Sequence, residues 1–142
     1  MARTVLKFGG TSVADLERIS HVADIVAHRA AQGEKIAVIV SAMSGETNKL
    51  VALAKGAAGE AVIGDAFDDE YDVVVASGEQ VTSGLLALSL RKRGLQARSW
   101  LGWQMRMKTR EGHGAARIDG FDQDSGLGDA IDSGEVAVIA GF

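Results

Sequence analysis

Three short segments of this 142-residue chain place glycines beside residues that could bind charged ligands. In Lys7–Ser12, a lysine and a phenylalanine are followed by two glycines and two hydroxyl residues. Ser41–Asn48 is rich in hydroxyl groups, and Ser77–Glu79 ends in a carboxylate. Lysine side chains and open backbone amides bind phosphate and carboxylate groups, whereas a glutamate binds an ammonium group. Together the three segments suit a small zwitterionic molecule and an adjacent phosphate.

Lys7 lies in a short apolar segment, residues 3–8, that its pattern predicts to be a strand. A lysine buried in such a strand is costly unless an anion meets it, so we expect Lys7 to be buried and to face an anion. A helix predicted from about Val13 to Ala31 follows. It would place the glycine pair at a helix N-terminus, where unpaired amides and the helix dipole favour phosphate.

The elements that position these segments follow from the hydrophobic pattern. The predicted strands are 3–8, 35–40, 72–76, 96–101, 104–109, 116–118 and 135–140, and the predicted helices are 13–31, 47–58, 80–93 and 127–133. Residues 59–70 are predicted to be an acidic connector, and the run at 72–76 is short enough to open a helix instead. Strands that alternate with helices predict an α/β fold with a mostly parallel sheet. In such a sheet the loops from strand to helix share one edge, where all three segments would meet.

The composition argues against several classes of protein. The net charge is −4 without a block of like charge, which argues against nucleic-acid binding. The apolar runs are shorter than the roughly 20 residues of a membrane span, and no leader precedes the first strand, so we expect a cytoplasmic protein. The chain has no cysteine, and its histidines and aspartates lack the spacing of a metal site, so no metal site is predicted. No P-loop or Rossmann motif follows a strand.

The three segments resemble, in order and in spacing, the motifs of the aspartate kinase family. They read Lys7-Phe-Gly-Gly-Thr-Ser-Val, Ser41-Ala-Met-Ser-Gly-Glu-Thr-Asn and Ser77-Gly-Glu-Gln-Val-Thr. The resemblance runs from Thr4 to Phe142 and implies the three-layer α/β/α sandwich of the amino acid kinase fold. It also implies that the γ-phosphate of ATP, bound as its Mg²⁺ complex, is transferred to the side-chain carboxylate of aspartate. The product would be β-aspartyl phosphate, in the first step of lysine, threonine and methionine biosynthesis.

The resemblance also implies roles for individual residues. Lys7 looks like the catalytic lysine that stabilises the transferring phosphoryl group, and Glu79 looks like the partner of the aspartate amino group. The residues matched to the ATP phosphates are Lys7, Gly9, Gly10 and Ser12, and those matched to aspartate are Ser41, Ala42, Thr47 and Glu79.

In the family, the strand that matches Glu135–Phe142 is followed by further glycine-rich loops, which carry an active-site arginine, an active-site aspartate and most of the nucleotide pocket. The resemblance therefore implies that residues 1–142 form the N-terminal, substrate-side part of an amino acid kinase domain, without the nucleotide-side half or regulatory domains. We expect such a chain to be inactive alone. We also expect its last strand to be an uncovered edge that could drive homo-oligomerisation.

Two alternatives remain open at this point. The chain could belong to another amino acid kinase that acts on a different carboxylate, although the second and third motifs argue against this. It could instead be a non-catalytic subunit that binds a ligand or supports assembly.

Overall fold

The computed structural model describes residues 3–59, 67–110 and 112–141. The strands are β1 (Arg3–Phe8), β2 (Lys35–Val40), β3 (Ala97–Trp100), β4 (Met107–Thr109), β5 (Ile118–Phe121) and β6 (Val136–Ala140). The helices are α1 (Leu16–Ala31), α2 (Glu46–Ala58), α3 (Asp68–Lys92) and α4 (Leu127–Asp132), and a 3-10 turn at Gln123–Ser125 precedes α4. The predicted α/β class is confirmed.

The main sheet has the strand order β1-β2-β6-β3, and all of its neighbours are parallel. Alternate side chains of the strands point to opposite faces and form two cores. The core beneath α1 and α3 contains Ile19, Val22, Val26, Ile36, Val38, Leu86, Leu90 and Val138. The core on the opposite face, beneath α4, contains Ala37, Trp100, Met105, Ile131 and Ala137. Strands β4 and β5 form a separate antiparallel hairpin.

The sequence predicts the last strand at an edge of the sheet, but the structure places it in the interior. β6 lies between β2 and β3, with Val138 opposite Val38 on one side and Ser99 on the other. The predicted uncovered edge is therefore wrong, because the order of strands in a sheet does not follow their order in the chain. The edges of the described sheet are β1 and β3. Homo-oligomerisation stays a prediction, without this reason for it.

The strand predicted at 72–76 is wrong and the alternative, a helix, is confirmed, because these residues lie within α3. Valine favours strands, but burial here repeats every three to four residues, which is the period of a helix. The buried residues of α3 are Val75, Gly78, Glu79, Thr82, Ser83, Leu86, Ala87 and Leu90. Of the predicted connector 59–70, residues 60–66 lie outside the described residues and 68–70 begin α3.

Within the described ranges, α3 is the one helix long and apolar enough to cross a membrane by length and composition. The core helix of a soluble domain passes the same test. In the structure, 44% of its most apolar stretch is buried, and it packs against α1, α2 and β3. Burial inside the domain therefore accounts for part of the apolar composition of α3, whereas Val73, Val81 and Leu88 are exposed.

Candidate functional site

The three segments meet around Ala42, which lies in the loop between β2 and α2. The Ala42 N–H group donates a hydrogen bond of 3.1 Å to Oε1 of Glu79. A Cβ atom placed on Gly10 would lie 3.0 Å from the Ala42 carbonyl oxygen, and one placed on Gly78 would lie 2.9 Å from the Ala42 Cβ. The structure therefore brings the first two loops and the third segment together at one edge of the sheet.

Glu79 is the buried charged residue of this cluster, with 5% of its surface exposed. Its Oε1 accepts the Ala42 N–H, whereas its buried Oε2 meets no donor among the described residues. A buried carboxylate oxygen without a partner is costly, so it favours a ligand that brings a cation or a donor. An ammonium group supplies both.

The sequence predicts Glu79 on a strand-to-helix loop, but the structure places it in a helix. Segment Ser77–Glu79 belongs to the interior of α3, a single helix over Asp68–Lys92. The carboxylate still reaches the edge of the sheet, because α3 passes beneath the loop that contains Ala42. The three segments therefore meet at one edge, although the third lies in a helix and not in a loop.

The loop after β2 ends in a helix N-terminus without a side-chain cap. The Ser41 N–H continues the pairing of β1 and β2 by donating to the Phe8 carbonyl at 3.2 Å. Gly45 has a φ of 79° and no side chain that could bond to the first turn of α2. No acceptor among the described residues meets the N–H groups of Thr47 and Asn48. These two amides and the Thr47 hydroxyl suit a carboxylate.

The sequence predicts an open N-terminus of α1 that binds phosphate, and the structure differs from this prediction. The helix begins at Leu16, three residues later than expected, and Asp15 is its N-cap. Oδ1 of Asp15 accepts the Arg18 N–H at 2.8 Å. A carboxylate of the chain itself therefore closes this helix end, and it disfavours an anionic ligand there.

The glycine pair lies in a turn before α1. The Ser12 N–H donates to the Gly9 carbonyl at 2.9 Å, so this amide is not open to a ligand. The N–H groups of Gly10 and Thr11 meet no acceptor among the described residues. Any phosphate bound here would use the turn and not the helix end.

Lys7 is exposed, so the prediction that it is buried is wrong. β1 is an edge strand in which Leu6 and Phe8 pack on the core beneath α1 and α3. Lys7 alternates with them, opposite Ile39 in register, and therefore points to the other face. No ion pair within the described part of the chain includes Lys7. Its ammonium is available to an anion, and it approaches the edge from the face opposite to Glu79.

Two surface cavities lie elsewhere. One of about 400 Å³ is lined by Asp15, Glu17, Arg18 and His21. The other, of about 550 Å³, lies between α1 and α3. Neither includes a residue of the three segments.

Known proteins share both the sequence and the fold of this chain. The aspartate kinase of Pseudomonas fluorescens is 46% identical over 142 residues, which is 100% of this chain and 33% of that protein. The crystal structure of the aspartate kinase from Synechocystis matches with a TM-score of 0.81 and 34% identity, over 100% of this chain and 22% of that one. Aspartokinase III of E. coli, in complex with lysine and aspartate, matches with a TM-score of 0.74 and 25% identity, over 95% of this chain and 40% of that one.

The chain spans about a third of the length of the curated relatives that it matches. These structures share the fold that the resemblance implied, so the amino acid kinase-like α/β sandwich is confirmed. The sequence model of the amino acid kinase family matches residues 2–142. Because this match covers nearly the whole chain, the chain belongs to the amino acid kinase family.

Proposed function

We propose that this chain carries the aspartate site of an aspartate kinase, which transfers the γ-phosphate of ATP to the side-chain carboxylate of L-aspartate. The product is β-aspartyl phosphate, formed in the first step of lysine, threonine and methionine biosynthesis. One observation carries the proposal: Oε2 of Glu79 is buried without a partner among the described residues, beside a loop with open amides. The names of the relatives support this choice of substrate.

In this proposal Glu79 binds the α-ammonium group of aspartate through Oε2. The open amides at the start of α2, together with Thr47, bind the α-carboxylate, and Ser41 and Ala42 line the loop between these two groups. A buried ion pair with additional hydrogen bonds fixes orientation as well as affinity. The side-chain carboxylate of the bound aspartate is then free to react.

The phosphoryl group is proposed to lie on the side of Lys7. A carboxylate oxygen of aspartate attacks the γ-phosphorus, the bond to the bridging oxygen breaks, and ADP leaves. The reaction needs positioning and charge neutralisation, which the exposed ammonium of Lys7 supplies. The open amides of Gly10 and Thr11 add donors, with Gly9 and Ser12 shaping the turn. Mg²⁺ arrives with ATP as part of the substrate.

The binding half of this proposal is tested by calorimetric titration of the chain with L-aspartate, with L-glutamate as the comparison. We expect L-aspartate to bind and L-glutamate, which is one methylene longer, to bind more weakly. Tighter binding of L-glutamate would favour a different amino acid kinase. The absence of L-aspartate binding would contradict the proposal.

The catalytic half is tested by trapping β-aspartyl phosphate as its hydroxamate after incubation with L-aspartate and Mg²⁺-ATP. Three proteins are compared: the unchanged chain, Lys7→Ala, and Lys108→Ala as a control that removes an exposed lysine from β4. Turnover that only Lys7→Ala abolishes would support the role of Lys7. Turnover that survives in Lys7→Ala would contradict that role. Aspartate binding without turnover would support the substrate site alone.

A further inference from the structure

Ala42 is enclosed by two glycines that belong to different elements. Gly10 lies in the turn after β1 and Gly78 lies inside α3. A Cβ on Gly10 would come within 3.0 Å of the Ala42 carbonyl oxygen, and a Cβ on Gly78 within 2.9 Å of the Ala42 Cβ. The N–H group of the same residue donates a hydrogen bond to Glu79. Ala42 thus contacts the turn, the helix and the buried carboxylate.

The presence of Gly78 inside α3 requires a structural explanation, because glycine weakens the interior of a helix relative to alanine. The close approach of Ala42 supplies one. Contacts under 3.0 Å between Cβ atoms do not persist, and the Cβ of Ala42 cannot move without its backbone. The other neighbour, Cδ1 of Leu50 at 3.1 Å, is the end of a flexible side chain. A methyl group at position 78 would therefore displace the peptide of Ala42.

We propose that Gly78 is a positioning residue of the aspartate site. By holding α3 close to the loop, it lets the Ala42 N–H fix Oε1 of Glu79 and so directs Oε2 toward the ligand. The purpose of this orientation rests on the proposed function, whereas the contact itself does not. Gly10 makes a second close approach to the same residue, at the Ala42 carbonyl oxygen.

Two other glycines provide matched controls. Gly84 lies in α3 six residues after Gly78, and a Cβ placed there would meet no atom within 4 Å. Gly9 is the neighbour of Gly10 and has the same open space. An alanine at either control position adds the same methyl group without touching Ala42.

The test compares Gly78→Ala with Gly84→Ala by hydrogen exchange of backbone amides, followed residue by residue with NMR. We expect the Ala42 amide to exchange at least about tenfold faster in Gly78→Ala, because it loses a hydrogen bond to a charged acceptor. The amides of β2, such as Val38, should keep their rates. Gly84→Ala should leave both groups unchanged.

A double variant tests whether the contact itself is responsible. In Ala42→Gly/Gly78→Ala the methyl group moves from one side of the contact to the other, which removes the clash. We expect the amide at position 42 to exchange in the double variant at nearly the same rate as in Ala42→Gly alone. The pair Gly10→Ala and Gly9→Ala provides the same comparison through the carbonyl side, and it decides the matter if Gly78→Ala does not fold.

The functional readout is the affinity for L-aspartate, which should fall about tenfold in Gly78→Ala and return in the double variant. Unchanged Ala42 exchange in Gly78→Ala and Gly10→Ala would overturn the proposal. So would faster exchange shared by all β2 amides, since the glycine would then serve only the core. If the unchanged chain does not bind aspartate, the proposed function fails, and the exchange data still decide whether Gly78 positions Glu79.

Discussion

Two helices begin at the same edge of the sheet, and their N-termini differ. At α1, the Asp15 carboxylate caps the first turn by accepting the Arg18 N–H. At α2, Gly45 leaves the first turn without a side-chain cap, and the buried Glu79 lies behind the loop. The first end is stabilised by the chain itself, whereas the second leaves donors and an acceptor for a ligand.

This difference predicts which helix end binds the substrate. A glycine pair before a helix suggested the end of α1, but the negative cap there disfavours an anion. The end of α2 offers open amides for a carboxylate, together with the unpartnered Oε2 of Glu79 for an ammonium. We therefore assign the proposed aspartate site to the start of α2 and not to the start of α1.

The largest effect is expected at Glu79. In Glu79→Gln the side-chain oxygen can still accept the Ala42 N–H, but the second group becomes a donor and repels an ammonium. We expect the affinity for L-aspartate to fall at least about a hundredfold, because a buried charge partner is lost. Calorimetry measures this, with Glu17→Gln in the first turn of α1 as the control. Equal losses in the two variants would contradict the comparison.

A negative charge placed at the uncapped N-terminus of α2 should weaken the binding of the ligand carboxylate. Gly45→Asp adds a carboxylate before α2, and Gly45→Asn adds a side chain of the same shape without charge. Both residues tolerate the left-handed backbone at this position, so the strain is matched. We expect Gly45→Asp to bind L-aspartate about tenfold more weakly than Gly45→Asn, through repulsion of the ligand carboxylate. Equal affinities would argue that the carboxylate lies elsewhere.

Removing the cap of α1 should change stability and not binding. Asp15→Ala loses the hydrogen bond to Arg18, and the free energy of unfolding should fall by about 1 kcal/mol. Urea denaturation measures this loss, and Asp15→Asn, which can still accept the bond, should restore most of it. A clear loss of aspartate affinity in Asp15→Ala would contradict the structural role given to this helix end.

The smallest expected effect is on the stability of the fold at acidic pH. The hydrogen bond from Arg93, strengthened by its charge, lowers the pKa of Asp24 on α1 below its usual range. The folded-state pKa is below the unfolded one, so this contact stabilises the fold above about pH 4 and is lost as the pH falls through the folded-state pKa. Asp24→Asn should therefore flatten the decline of the urea midpoint in acid. A decline as steep as that of the unchanged chain would refute this.

Much of the local structure could be predicted from the sequence, because apolar runs and helical periodicity are local properties. The bounds of β1 and β2 agree with the expected residues 3–8 and 35–40. The pattern could not decide the element at 72–76, because a short valine run suits either a strand or a buried helix. The position of β6 in the sheet depends on pairing between distant residues, which no local pattern encodes.

The meeting of the three segments at one edge could be predicted better than the elements that carry them. The resemblance points to Glu79, although the pattern predicts a loop at Ser77–Glu79 and the structure has a helix there. The Glu79 carboxylate reaches the Ala42 amide from that helix. The exposure of Lys7 could not be predicted, since it depends on β1 being an edge strand. The roles of the site residues, the cytoplasmic location and the inactivity of the isolated chain stay predictions.

The most direct test of the account compares L-aspartate with succinate, which lacks the ammonium group, in the unchanged chain and in Glu79→Gln. Calorimetry gives the four affinities. We predict that the unchanged chain prefers L-aspartate by at least about a hundredfold, and that the preference nearly disappears in Glu79→Gln. Equal binding of both ligands by the unchanged chain, or a preference that survives in Glu79→Gln, would contradict the claim that Glu79 binds the substrate ammonium.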